Sequence, residues 1–421
     1  MRHIVAQGRW ILVDNLILID GELWIMTNRH QIKHQPSNST SNLISRLSNK
    51  VGVRKRKQLV KTSLLLETSL MNCSISANVV DIISGPIVTR FQITTASGTE
   101  ASELFKQCAE IAKSMNVRSL SVVELSSDAG SFGIDIPNKE RVLINMSDIV
   151  NTEVFQTSSS PLTLALGFDH AGNPVVIDLD KTPHLLMGGA RGQGTCVTLN
   201  VMLTSLLQKA SPDLVKLLLI DTSMVELPAY DSAPHLLTPV ITEANKAIQA
   251  LQWCEMEIER RVSAFTCFDV HSIDDYNVCS GEKLPFVVVV VDEFARLRAV
   301  DEKLDQRISS IAKKGQMVGI HLILTTQYPT ENVITRSIKL SIPARIAFRV
   351  TNEQSSITIL GQSGAEQLLG HGDMLYSFPG NSALERIHGA FVSDDEVNRI
   401  VKQSAGLGVP SFIPFVDNQD F

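Results

Sequence analysis

Four short apolar runs, HLLMGG (184–189), VKLLLID (215–221), FVVVVVD (286–292) and IHLILTT (320–326), constrain this chain more than any other feature. Each is rich in Leu or β-branched residues, and an amphipathic helical stretch separates one from the next. A strand without polar alternation must be covered on both faces, and strands that alternate with helices form parallel sheets. The expected fold class is α/β: a doubly wound parallel sheet flanked by helices, with ligands at the carboxyl ends of the strands. With 421 residues, 44% hydrophobic and 19% charged, the chain can build such a core and a smaller domain beside it; disordered and fibrous classes are excluded.

The net charge of −6 counts against nucleic acid, but it is unevenly spread. Residues 1–62 hold eleven Lys or Arg against three acids, a net of +8, which leaves −14 for the remainder. The Ser- and Asn-rich stretch 34–50 and the basic cluster GVRKRKQLVK (52–61) read as a linker or tail, so 1–62 is expected to be a basic, partly disordered segment. From 63 to 150 the pattern suits a small α+β domain. It holds a β-rich run around Gly85 and Pro86, a helix opened by a Ser97/Glu100 capping box, and short strands near 118–124 and 140–146. The larger α/β domain is placed at 160–405 and a tail at 406–421. Six cysteines without a C-x-x-C pair point to a reducing, cytoplasmic setting. No run reaches the 18 or so apolar residues of a membrane helix, so no membrane segment is expected.

The first apolar run leads into Gly189, Ala190, Arg191, Gly192, Gln193, Gly194, Thr195 and Cys196, and a helix begins there. Strand, glycine loop and helix together make a phosphate cradle: backbone N–H groups close on an anion at the positive end of the helix dipole. The pattern GxxxxGK[ST] is only half met. Gly189 and Gly194 are correctly spaced, but Thr195 replaces the phosphate-binding Lys and Cys196 the magnesium-holding hydroxyl. A tight turn with no ligand is the alternative. The run FVVVVVDE ends in Asp292, suited to holding Mg²⁺, and Glu293, suited to polarising a water; the alternative is two acids capping the next helix.

The segments PHLLMGG, IDTSMVELPAY, ALQWCEMEIERR, LPFVVVVVDEFA, GIHLILTTQYP, VITRSIKLSIPARIAF, GAEQLLGHGDMLY and HGAFVSDDEV occur in this order. In content and order they resemble the motor of FtsK/SpoIIIE-type DNA translocases, from about 75 to 400. The stretch GPIVTRFQI to IDIPNKERVLI is similar to that family's small α domain. The resemblance implies a RecA-like P-loop NTPase fold, a hexameric ring on double-stranded DNA, ATP and Mg²⁺ as cofactors, and a role in chromosome segregation at division. It adds Gln327 to Asp292 and Glu293 as catalytic residues. It also implies cations where this chain has Thr195, Ser223, Gln316, Tyr328 and Ile357, five neutral residues expected round the nucleotide. Arg191 is the one loop residue able to supply charge instead.

For DNA, cationic charge near phosphates suffices. The candidates are Arg54, Lys55, Arg56 and Lys57, then Arg336 and Lys339, with Arg296, Arg298 and Arg345 behind them. The expected function is a DNA translocase-family protein with impaired ATP hydrolysis, acting as a homo-hexamer or in a mixed ring with an intact paralogue. A working translocase and a nucleotide-free scaffold are the alternatives.

Overall fold

The structure, a computed structural model, describes residues 11–13, 16–19, 22–26, 31–33, 53–95, 101–117, 120–125, 130–224, 227–281, 283–381 and 383–413. The Ser97/Glu100 capping box falls outside these residues. Two compact units emerge, one comprising 1–84 and 89–137 and the other 85–88 and 138–421. Among the described residues no helix is long and apolar enough to cross a membrane.

In the first unit, β1 (Ile11–Val13), β2 (Leu16–Ile19), β3 (Glu22–Met26) and β4 (Gln31–Lys33) form an antiparallel meander. A second four-stranded sheet holds β5 (Ala77–Ser84), β6 (Val88–Thr95), β7 (Ser121–Glu124) and β8 (Ser131–Pro137) in the order β5-β6-β8-β7. Helices α1 (Val53–Asn72) and α2 (Ala101–Ser114) share its core. The spacing of Leu104, Cys108 and Ile111 gives α2 one apolar stripe, and Leu59, Leu66 and Leu70 do the same for α1. The basic run read as a tail is therefore the first two turns of a helix. Its apolar stripe begins at Leu59, inside the segment expected to end at 62. One charged pair lies within this core: Arg90 grips the Asp135 carboxylate with two hydrogen bonds, at 2.7 and 3.0 Å.

The second unit starts with α3 (Met146–Val150) and α4 (Glu153–Gln156) and is built on a nine-stranded sheet. Residues 140–145, expected as a strand, run irregularly; only Asn145 bridges to Phe391. Strands β11 (His184–Gly188), β12 (Val215–Asp221), β13 (Phe286–Asp292), β14 (Ile320–Thr326) and β15 (Ala344–Phe348) are parallel, in the order β15-β11-β14-β13-β12. Four antiparallel strands extend this sheet: β9 (Thr163–Asp169), β10 (Pro174–Asp178), β16 (Asp373–Ser377) and β17 (Glu385–Gly389). The sheet is thus mixed, not purely parallel. Helices α5 (Thr195–Lys209), α6 (Ala244–Phe268), α7 (Ile273–Cys279), α8 (Leu304–Gly315), α9 (Arg336–Ser341), α10 (Glu353–Leu360) and α11 (Asp394–Ala405) complete the unit. Register aligns the carboxyl ends of the central strands, with Gly188 opposite Thr326 and Asp221 opposite Asp292. The chain leaves β11 for the far edge at β12 and later crosses to β15 on the other side, so a crevice opens beyond Gly188. At the other end of the chain, the Ile413 amide donates to Leu237 O at 2.8 Å.

At the opposite, amino edge of the sheet two histidines are buried. His184 Nε2 lies 2.8 Å from Ala312 O while its Nδ1 accepts from the Leu322 amide, and His321 Nδ1 lies 3.0 Å from Pro183 O. Burial pushes His184 down to about 4; burial, with repulsion from His184, pushes His321 down to about 3. Both rings are thus neutral in the folded state, whereas the unfolded chain takes up protons near pH 6.5. The stability they permit is complete above that pH and drains away as pH falls toward 4, by roughly 3 kcal/mol for His184 alone. Thermal midpoints measured between pH 7.5 and 4.5 will fall accordingly, and His321→Asn will flatten the profile.

Candidate functional site

Beyond Gly188 the chain turns through the glycine loop into α5. Three main-chain hydrogen bonds fix the loop: Gly189 N to Thr326 O (3.2 Å), Ala190 N to Arg349 O (2.9 Å) and Gly372 N to Gln193 O (2.9 Å). Gly194 has φ 122°, and a Cβ there would sit 2.6 Å from Gly372 N, so both backbone and space require glycine. The first-turn amides of α5 have no intrahelical acceptor, which leaves donors facing a cleft of about 760 Å³.

That cleft lies wholly within the second unit. Ala190, Arg191, Gly192, Gly194, Thr195 and Cys196 line its floor, and Asp292, Glu293, Gln327, Ser223, Tyr328 and Arg296 line one side. The predicted loop and the predicted acids therefore do converge. Gln193 is drawn in through its carbonyl. Asp292 Oδ1 accepts from Thr325 Oγ1 at 2.5 Å. Glu293 has φ 50°, a left-handed conformation unusual for a carboxylate residue outside functional sites. Its oxygens accept from Thr326 Oγ1 (2.8 Å) and the Gln327 amide (2.9 Å), and its own amide donates to Thr325 Oγ1 (3.2 Å). Two threonines at the end of β14 thus aim both acids. A carboxylate has about four lone-pair sites, so each can still accept from water.

On β12, the strand beside β13, Asp221 Oδ1 accepts from Ser223 Oγ (2.6 Å), Ser223 N (2.9 Å) and Met224 N (3.0 Å), and its Oδ2 from Leu227 N (3.1 Å). Ser223 therefore serves to close a turn and brings no charge to the cleft. Of the five neutral positions, Thr195, Ser223 and Tyr328 line the cleft. Gln316 and Ile357 do not. Gln316 precedes β14 at the amino edge of the sheet, and Ile357 sits on the surface of α10. Three of the five positions expected round the nucleotide therefore meet at the cleft of a single chain.

The residues fit phosphate. Thr195 Oγ1 is buried without a hydrogen-bond partner, and the space over Gly192 is open. They do not fit magnesium as well, because a hard cation requires oxygen ligands and the first turn of α5 offers the Cys196 sulfur. Among the described residues no group of three His, Cys, Asp or Glu is arranged to hold a metal ion.

The basic candidates are dispersed. Lys55 is exposed on α1, and the side chains of Arg54, Arg56 and Lys57 lie outside the described residues. Arg336 is exposed at the start of α9, and Lys339 is half-buried in its last turn. Arg298 is committed to Asp305 and to Val333 O, and Arg345 Nη1 donates to Ile359 O at 3.1 Å, so both have structural partners. Arg296 donates to Thr222 O at 3.0 Å and borders the cleft. Leu143, His371, Gly372 and Phe391 also line the cleft; the segments that contain them carry the resemblance, but no motif assigns any of the four a site role. Their segments meet it only through long-range main-chain pairing.

Comparison with known proteins bears on this geometry. The FtsK/SpoIIIE family profile matches residues 145–282 and 278–331, and the FtsK alpha domain profile matches 40–138. The chain is 40% identical over 384 residues to the DNA translocase FtsK of Haemophilus influenzae, covering 85% of this chain and 73% of that protein. It is 41% identical over 386 residues to the DNA translocase FtsK of Pasteurella multocida, covering 85% and 42%. The chain thus spans less than half the length of the latter, as of several other curated relatives. Among solved structures, the pCW3 conjugation coupling protein TcpA with ATPγS matches with a TM-score of 0.57 at 21% identity, over 82% of this chain and 99% of that one. The type VII secretion ATPase EccC of Thermomonospora curvata matches at 0.54 and 21%, over 64% and 35%. At such identities the likeness is one of fold, a RecA-like P-loop architecture.

Proposed function

The chain belongs to the FtsK/SpoIIIE family, and we propose that it is a double-stranded-DNA-binding member whose cleft holds nucleotide phosphates but hydrolyses ATP weakly or not at all. The carrying observation is the contrast within the cleft. The backbone cradle, the aimed acids Asp292 and Glu293 and Gln327 are kept, while Thr195 and Cys196 stand where phosphate charge and magnesium would be managed. Such a protein acts as a regulatory ring subunit in chromosome segregation and cell division, as a homo-hexamer or beside an intact paralogue. In this role Arg191 and the α5 amides hold the phosphates. Asp292 and Glu293, oriented by Thr325 and Thr326, hold water against them. ATP, when bound, supplies the γ-phosphoryl group. Arg54, Lys55, Arg56 and Lys57, with Arg336 and Lys339, supply charge to the DNA backbone. The six free cysteines suit a reducing cytoplasm.

Duplex binding tests the reading. Fluorescence anisotropy with linear duplex DNA will show affinity falling steeply with salt, by on the order of 10³-fold between about 50 and 200 mM if six phosphates are contacted. Arg336→Glu with Lys339→Glu will lower the slope by about two. Absent or salt-indifferent binding would favour an interaction scaffold.

A further inference from the structure

A thiol sits on the floor of the phosphate cradle. Cys196 is the second residue of α5, lines the cleft and is partly exposed there. The positive end of a helix is the setting in which cysteine sulfur reacts most readily. Its neighbour adds an independent feature. Thr195 is 4% exposed and lines the same cleft, and its Oγ1 has no hydrogen-bond partner, a standing cost that a ligand oxygen would relieve. The sulfur is therefore placed beside donors prepared for an anion. Asp292 and Glu293 also line the cleft, and Arg191 and Arg296 on its lining offset their charge. The other cysteines lack this combination. Cys108 and Cys254 are buried, and burial pushes the Cys254 thiol up. Cys73 is half-buried just beyond α1, and Cys267 and Cys279 are exposed; none of these three lines the cleft.

Resting on the phosphate reading of the cleft, we propose that Cys196 is a site of reversible thiolation by small anionic disulfides, and that the attached group and phosphate exclude one another. The Cys196 sulfur attacks one sulfur of the incoming disulfide. The S–S bond of that reagent breaks as the new one forms, and the departing thiol takes the proton that Cys196 gives up. One disulfide replaces another, so no further oxidant is required. Carboxylates of the attached group take the donors that phosphate would use, and a cleft of about 760 Å³ has the size of a site for one small molecule. Excess thiol reverses the exchange and returns the cleft to phosphate. A hydroxyl at position 196 could not do this. The same sulfur that suits magnesium poorly thus gives the cleft a state set by the thiol–disulfide balance around it.

Glutathione disulfide and the cationic disulfide cystamine test this on the full chain, with adducts at each cysteine followed by peptide mass spectrometry and tripolyphosphate affinity by isothermal titration. Measured against Cys267 and Cys279 in the same sample, Cys196 will react at least about fivefold faster with glutathione disulfide than with cystamine, and tripolyphosphate will slow it by a similar factor. The glutathionylated chain will bind tripolyphosphate at least about tenfold more weakly, and dithiothreitol will restore the affinity. In Cys196→Ser the same treatment will cause no change in tripolyphosphate affinity. A chain carrying Cys267→Ser and Cys279→Ser will respond as the unaltered chain does. Adducts confined to other cysteines, equal relative reactivity toward the two disulfides, no protection by tripolyphosphate, or a loss of affinity that persists in Cys196→Ser would overturn the thiolation site while leaving phosphate binding intact. If the reduced chain does not bind tripolyphosphate, the phosphate reading itself falls, and the exclusion with it.

Discussion

The unaltered chain will release phosphate from ATP at background rate, and linear duplex DNA will not stimulate it. A charge that stabilises the transferring phosphoryl group is worth roughly 10³ to 10⁵ in rate, and this cleft lacks the loop lysine together with the hydroxyl that would hold magnesium. The triple variant Thr195→Lys, Cys196→Ser, Ser223→Lys restores both at positions that line the cleft. It will raise turnover at least about tenfold, short of the full factor because Tyr328, which also lines the cleft, remains neutral. Phosphate release measured with and without DNA, for both chains side by side, decides the matter. DNA-stimulated turnover by the unaltered chain would overturn the impaired-motor reading.

The second large effect concerns stability. Arg386 grips Asp373 through Nε (3.0 Å) and Nη2 (2.7 Å), His388 Nδ1 lies 3.1 Å from the same carboxylate, and all three side chains are buried between β16 and β17. Although burial works the other way, the neighbouring Arg386 and His388 hold the Asp373 carboxyl well below the usual carboxylate range. Its contribution to stability is therefore complete above about pH 4 and is lost only as pH falls below that. Arg386→Met leaves a buried carboxylate uncompensated and will lower unfolding free energy by about 3–5 kcal/mol, read from urea midpoints. The double variant Arg386→Met, Asp373→Asn will recover part of the loss. Asp373 also accepts from Leu369 N at 2.8 Å and follows Gly372 directly, so the single variant will loosen the cradle as well as the sheet.

The fold was legible where chemistry was uniform. VKLLLID, FVVVVVD and IHLILTT became strands with the bounds read from them, because unbroken apolar runs admit only a two-sided cover. The antiparallel extension was not legible. DMLYS and ERIHG carry Asp373, Arg386 and His388, whose burial is tolerable only because they meet one another, and no local pattern announces that. The charges of 52–61 hid a helix whose apolar stripe starts at Leu59, and the apolar residues of 140–146 suggested a strand where they instead line a cavity. Within the site, the glycine loop and the two acids could be located from spacing. Thr325 and Thr326, which aim those acids, are ordinary members of a buried strand until the register places them beside β13.

The contacts from Gln193 to Gly372 and from Gly372 to Gly389 are purely main-chain, and two of their three members have no side chain. Such a linkage depends on no side-chain rotamer. The glycine loop and the end of β17 are thereby joined through backbone alone, so side-chain substitutions at Gln193 leave the connection itself in place.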